Sequence, residues 1–237
     1  MGSKETAITK KKETAVDNVE NVSLVQFDES AMKHIEIPRI SLLQALSDPV
    51  QKEGEKQGTY HNAIQSLNYG DNVEIIPVGK IRNGALFIPK GSKKMKCKSM
   101  DGITNIFGDK CAQCPFNVNY ERWENNTPPE CKATIDFTVL TLPEMTPALL
   151  TFKSEAHKSG KRLMTQLAWA KVPLAITMGA MQKENDKGIF YIPKVSSQRQ
   201  LEAEEITEAK SWANRLSKIS VAVADDEVEE DKAADMF

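Results

Sequence analysis

The chain has 237 residues, 40% of them hydrophobic and 27% charged, with a formal net charge of −2. That length holds one large domain with appendages or two small ones, and the composition excludes collagen-like and disulfide-scaffold classes. No run reaches the roughly 18 consecutive apolar residues of a membrane span, and Met1 to Lys12 is polar and basic with no apolar region behind it. The expectation is a cytoplasmic protein with reduced thiols and no membrane contact.

Residues 1–33 read as a flexible polar arm with a short apolar patch, Val22 to Phe27. Pro38 keeps the segment Ile35 to Leu46 from starting as a helix, and residues 53–58 read as loop. Val73 to Val78 is a β-branched run, and Ala85 to Ile88 follows the turn signal Asn83-Gly84. In Thr134 to Leu142, alternation puts Ile135, Phe137 and Val139 on one face; Ala148 to Lys153 is a further run. The period then changes. Leu163, Leu167 and Ala170 mark a helix over His157 to Lys171, closed by Pro173. Leu174 to Met181 and Ile189 to Val195 read as two more strands around a polar loop. Leu201, Ile206, Ala209, Trp212, Leu216 and Ile219 form the apolar stripe of a C-terminal helix, residues 201–220, and residues 221–237 read as a disordered acidic tail.

Strands, a long insertion, strands, a helix and two strands predict a mainly β protein with helices (α+β). The order fits a five-stranded OB-like barrel over residues 34–200, with residues 93–131 as an inserted loop module. A small mixed α+β sheet reads the same way.

Cys97, Cys111, Cys114 and Cys131 are the only cysteines, spaced Cys-x13-Cys-x2-Cys-x16-Cys. A Cys-x2-Cys pair sets two thiolates on one tetrahedral ion, and two distant thiolates complete the shell. The segment between them is rich in Gly, Pro and Asn, so a structural Zn²⁺ would hold together what has little core of its own. Four buried thiols, or a redox pair at Cys111 and Cys114, are the alternatives; no thioredoxin-like βαβ context supports the second.

The net charge hides a segregation. Asp225, Asp226, Glu227, Glu229, Glu230, Asp231 and Asp235 against Lys232 give the last 13 residues −6, which leaves +4 on the rest. Lys80, Arg82, Lys90, Lys93, Lys94, Lys96 and Lys98 fall in one stretch without an acid. Cations that neutralise phosphates, with Phe87, Tyr120, Trp123 and Tyr191 to stack bases and Lys194 beside the last, form a candidate single-strand surface. The bland alternatives are solvated lysines and core aromatics. In an alternating strand Phe190 and Tyr191 point to opposite faces, so at most one serves. The tail combines acids that steer with Phe237, which would fill an apolar pocket on a partner.

Three elements resemble bacteriophage single-stranded DNA-binding proteins of the OB-fold type. Ile37-Pro-Arg-Ile-Ser-Leu-Leu-Gln-Ala-Leu-Ser47, followed by Pro49-Val50, is similar to the entry of such proteins. The four-cysteine module resembles that of zinc-containing helix-destabilising proteins, which typically have a histidine ligand; an all-cysteine set departs from them. The acidic tail closing on Phe237 is similar to tails that recruit replication proteins and compete with DNA. The resemblance implies sequence-tolerant single-stranded DNA binding in replication, recombination or repair, in the host cytoplasm, with replication or recombination proteins as tail partners. The competing expectation is a zinc-bearing adaptor in phage transcription or replication whose partner is protein. No His-Glu-x-x-His, P-loop or Gly-x-Ser-x-Gly pattern is present, so no enzyme is expected. Oligomeric state is not legible.

Overall fold

A computed structural model describes residues 36–89, 95–116, 130–185, 188–218 and 222–223. Its organising element is β8 (Cys131–Thr141), because three strands pair with it. β5 (Asn72–Pro77) takes one edge of its C-terminal end, with Ile75 opposite Thr141 and Pro77 opposite Val139. The chain then continues along the same edge as β6 (Arg82–Phe87), from Arg82 opposite Asp136 to Phe87 opposite Cys131. β9 (Thr146–Lys153) covers the other edge, antiparallel along its whole length. The short β7 (Cys97–Ser99) adds to the outer edge of β6.

The alternation expected for β8 is present, and it has two buried sides. Ile135, Phe137 and Val139 enter the main core with Ile75, Leu150, Phe152, Ile176 and Met178. Leu140 points the other way, to Ile76, Ala175, Leu201 and Ala209. A helix closes each face. α2 (His157–Trp169) sets Leu163 into the first core and leans Met164 and Leu167 on it. Gly160 is required there, since a Cβ would stand 2.8 Å from the Phe152 side chain. α3 (Ala203–Lys218) packs Ile206, Ala209 and Trp212 on the second core, and Leu216 on Ile37 and Leu149. Arg199 ties its first turn to the sheet through Glu205 and Glu74.

β10 (Leu174–Asn185) returns to pair antiparallel with β5, and β11 (Gly188–Gln200) folds back along β10. Both run further than the strands read from the sequence. The expected five-stranded OB-like barrel is corrected here: among the described residues ten strands form one open mixed sheet. The physical reason lies in the entry segment. Its residues form β2 (Arg39–Leu42), which pairs parallel with β9 and occupies the edge a closing strand would need. β3 (Tyr60–Asn62) and β4 (Leu67–Gly70) then extend the sheet beyond β2. Strands far apart in the sheet order still meet: the buried Tyr60 hydroxyl on β3 donates to the Gly179 carbonyl on β10, 3.0 Å away.

Smaller elements lie at the margins of the described residues. α1 (Asp48–Glu53) follows β2, with Gly54 as its left-handed C-cap. β1 (Glu36–Ile37) pairs parallel with β12 (Ala222–Val223), which holds the two ends of the described chain together. Asn83-Gly84, read as a turn, lies inside β6. Gly84 is there for space: a Cβ would meet the Ser99 carbonyl oxygen at 2.5 Å and Thr134 Oγ1 at 2.7 Å. The acidic tail (225–237) and residues 1–33 lie outside the described residues.

Candidate metal centre and nucleic-acid interface

Pairing across β7, β6 and β8 sets Cys97, Phe87 and Cys131 in one row, since Phe87 is opposite Cys97 on one side and Cys131 on the other. Residues directly opposite in a ladder point to the same face, so both thiols lie on the Phe87 side. The other two arrive on a tight turn. Cys111–Gln113 forms one 3₁₀ turn, and the Cys114 N–H donates to the Cys111 carbonyl at 3.0 Å. The turn is held from outside by the Cys111 N–H on the Ile103 carbonyl, 2.8 Å. Asp101 organises the approach to it. Its Oδ1 accepts from the Ile103 and Thr104 N–H groups and from Ser99 Oγ, which holds its carboxyl below the usual range.

All four cysteines line a single cavity of about 220 Å³, together with Phe87, Phe116 and Phe107. Phe87 and Phe116 stack at 4.5 Å between centroids, and the Cys131 N–H donates to the Phe116 carbonyl. Burial pushes the Cys131 thiol up to about 12, reinforced by Cys114, Cys97 and Cys111; burial also raises Cys97, with Cys114 and Cys111 adding to it. None of the four is in a disulfide. Among the described residues, no three His, Cys, Asp or Glu side chains are drawn together as a metal shell. The cysteines therefore share a cavity without forming a closed tetrahedron.

The expected DNA-contacting residues divide into three groups. Lys80 and Lys96 are exposed, Arg82 opens β6 half-buried, and Lys98 is half-buried on β7. Lys98 and Lys132 flank Leu86 from the two neighbouring strands, on the face opposite the cysteines. Lys132 was missed from the sequence because only the pairing brings it beside Lys98. The aromatic residues of the second group make packing or backbone contacts within the fold. Phe87 is only 8% exposed and stacked on Phe116, so it serves the module's small core and leaves little ring for a base. Tyr191 packs its ring against Gly58, and its backbone N–H and C=O are both taken by Gln44. Lys194 is exposed on β11, away from the cavity lining. Lys90, Lys93, Lys94, Tyr120 and Trp123 form the third group and lie outside the described residues, as do Asp225, Asp226, Glu227, Glu229, Glu230, Asp231, Asp235 and Phe237.

Fold and cavity together define a mainly β, mixed-sheet protein that carries a thiol-lined module at the N-terminal end of β8. The chain belongs to the Pam3 phage gp34-like protein family, whose model matches residues 9–222. No curated protein and no solved structure matches it. Among the described residues no helix is long and apolar enough to cross a membrane.

Proposed function

We propose that this chain binds single-stranded DNA with little regard to sequence. The observation that carries the reading is the order in which its strands connect. In an OB arrangement five strands wind with a helix between the third and fourth, and oligonucleotides lie against strands two and three and the loops 1–2 and 4–5. Here β5, β8, β9, β10 and β11 follow that order, with α2 between β9 and β10, and with β10 back on β5. The β2–β3 pair enters where direct closure would occur.

In this reading the β5–β8 connection carries Lys80, Arg82, Lys90, Lys93, Lys94, Lys96, Lys98, Tyr120 and Trp123 to the nucleic acid, and Lys194 follows the β10–β11 turn. Zn²⁺ held by Cys97, Cys111, Cys114 and Cys131 would brace that connection; their common cavity supports this, and the Cys111–Cys114 turn would have to close on Cys97 and Cys131. The acidic residues 225–237 would compete with DNA and recruit a replication or recombination protein. The deciding experiment is fluorescence anisotropy with a labelled poly-dT oligonucleotide and its duplex counterpart at several salt concentrations. Preference for the single strand, weakening steeply with salt, is expected. Absence of binding by the full chain and by a chain ending at residue 224 overturns the reading.

One observation favours a second reading, a zinc-bearing adaptor for a protein partner. Ile103, Ile106 and Phe107 are 66%, 56% and 69% exposed on the cysteine module. Three large apolar side chains in five residues form the kind of patch that docks on protein. Replacing all three with Ser separates the readings: DNA binding should survive, and an adaptor's partner would be lost.

A further inference from the structure

The outer face of α2 carries a second feature that the proposed interface does not use. Lys158, Lys161, Arg162, Thr165 and Trp169 are all exposed, and at 100° per residue they fall within an arc of about 100°. The buried Gly160, Leu163 and the partly buried Leu167 lie on the opposite side, so this face is turned from the core by the helix's own periodicity. Trp169 is 81% exposed, the highest value of any large hydrophobic residue described. Lys171 is exposed just beyond it. Lys158, Lys161, Arg162 and Lys171 form no ion pair among the described residues.

Folding alone does not account for this arrangement. Among the described residues the other two α-helices begin with acids, Asp48 in α1 and Glu204 and Glu205 in α3, as the positive end of a helix favours. α2 has no acid in its first turn and starts His157-Lys158. Lys158 adds to the positive end, and the acid there, Glu155, stands in the 3₁₀ turn just before the helix. An indole left in water forgoes the burial that would stabilise the fold, and a helix that needed only to cap the core would not require it. Cations along one ridge and an open aromatic at its end are complementary to a flexible polyanion that carries stackable rings.

The helix starts beside the β10–β11 hairpin. Lys183, near the turn of the β10–β11 hairpin, pairs with Glu155 at 3.4 Å, immediately before α2. From Lys158 to Trp169 the ridge runs about 16 Å at the usual helical rise.

We propose that this ridge is a track for single-stranded DNA, with Lys158, Lys161 and Arg162 on successive phosphates and one base stacked on Trp169. The proposal rests on the single-strand reading above and gives it a path along the helix. Two variants test it in the full chain: Lys158→Ala/Lys161→Ala/Arg162→Ala, and Trp169→Ala. The side chains are exposed, so both should melt like the parent. The triple variant should bind poly-dT at least about tenfold more weakly at low salt. Its log-affinity against log-salt slope should fall by about 2, near 0.7 for each of three phosphates. Trp169→Ala should weaken binding by about five- to a hundredfold with the slope unchanged, and Trp169→Phe should restore most of it. If the parent binds single strands and both variants keep its affinity and slope, the track is overturned and the single-strand reading stands. If the parent binds no single strand, both fall together. A loss in the triple variant with none in Trp169→Ala overturns the stacking site and leaves only a charged surface.

Discussion

The carboxamide of Gln44 takes both backbone groups of Tyr191: its Nε2 donates to the Tyr191 carbonyl at 2.8 Å, and its Oε1 accepts from the Tyr191 N–H at 2.9 Å. A single side chain here does what a neighbouring strand would do. Gln44 is buried just after β2, and Tyr191 lies on β11, the edge strand of the sheet at its far end. The pair joins the two regions that backbone pairing leaves apart.

Gln44→Ala should therefore cost about 1–3 kcal/mol, because it leaves a donor and an acceptor without partners in a largely buried place. Gln44→Glu keeps the acceptor but sets a carboxylate oxygen against the Tyr191 carbonyl in a buried place, and at neutral pH should cost at least as much as Gln44→Ala. Urea denaturation of the three proteins measures the ranking; equal midpoints would show the bridge to be dispensable.

Gly160→Ala sets two effects against each other. Ala is favoured over Gly in a helix by about 1 kcal/mol, while crowding a packed core costs about 1–3 kcal/mol. With the Cβ 2.8 Å from both Cβ and Cγ of Phe152, crowding should win, and a lowered melting temperature is expected. A raised one would mean that Phe152 moves aside freely.

Acid should loosen α3. The Arg199 guanidinium, and then the Glu202 N–H, hold the Glu205 carboxyl down at about 2 against an ordinary 4.5. The folded value lies below the unfolded one. Its contribution is therefore complete above the ordinary value, declines as pH falls below it, and is gone once pH passes the folded value. Glu205 lies near the surface, so screening limits the effect to about 1 kcal/mol or less. Thermal melts between pH 2 and 6 should show a shallower acid slope for Glu205→Gln than for the parent.

Purified full chain should contain one Zn²⁺, and Cys114→Ser should lose it and destabilise residues 95–116. Elemental analysis with thiol titration checks this. Full metal content in folded Cys114→Ser would remove the four-cysteine assignment.

Local periodicity carried much of the fold. The alternation of Ile135, Phe137 and Val139 announced β8, and the apolar spacing of Leu163 and Leu167 announced α2. The stripe ending at Leu216 announced α3. Long-range pairing was not legible. Nothing within Arg39–Leu42 says that it will lie parallel to β9, more than a hundred positions away. Tyr60-His-Asn lacks a β-branched run, and its burial comes from neighbours on β2 and β4. Gly84 looked like a turn because spacing alone does not distinguish freedom from lack of room. At the site, all four cysteines line one cavity, as their spacing led one to expect, but not as a metal shell among the described residues. Which aromatics they would meet depended on the β6–β8 register, which turned Phe87 inward. The exposure of Trp169 has no sequence signal, since an indole at a helix end fits a core as readily as a surface.

Because β5 and β6 divide one edge of β8 between them, the two ends of that strand answer to different parts of the molecule. Thr141 and Leu140 are fixed by β5 and the cores; Cys131 and Lys132 are fixed by β6 and, through it, the cysteine module. Loss of order in the module would fray β8 from its first residues while its last stay locked. Amide protons along one strand would then exchange over a graded range of times, fast near Cys131 and slow near Thr141. Such a gradient would place a boundary within β8 between residues that open with the module and residues that open only with the whole.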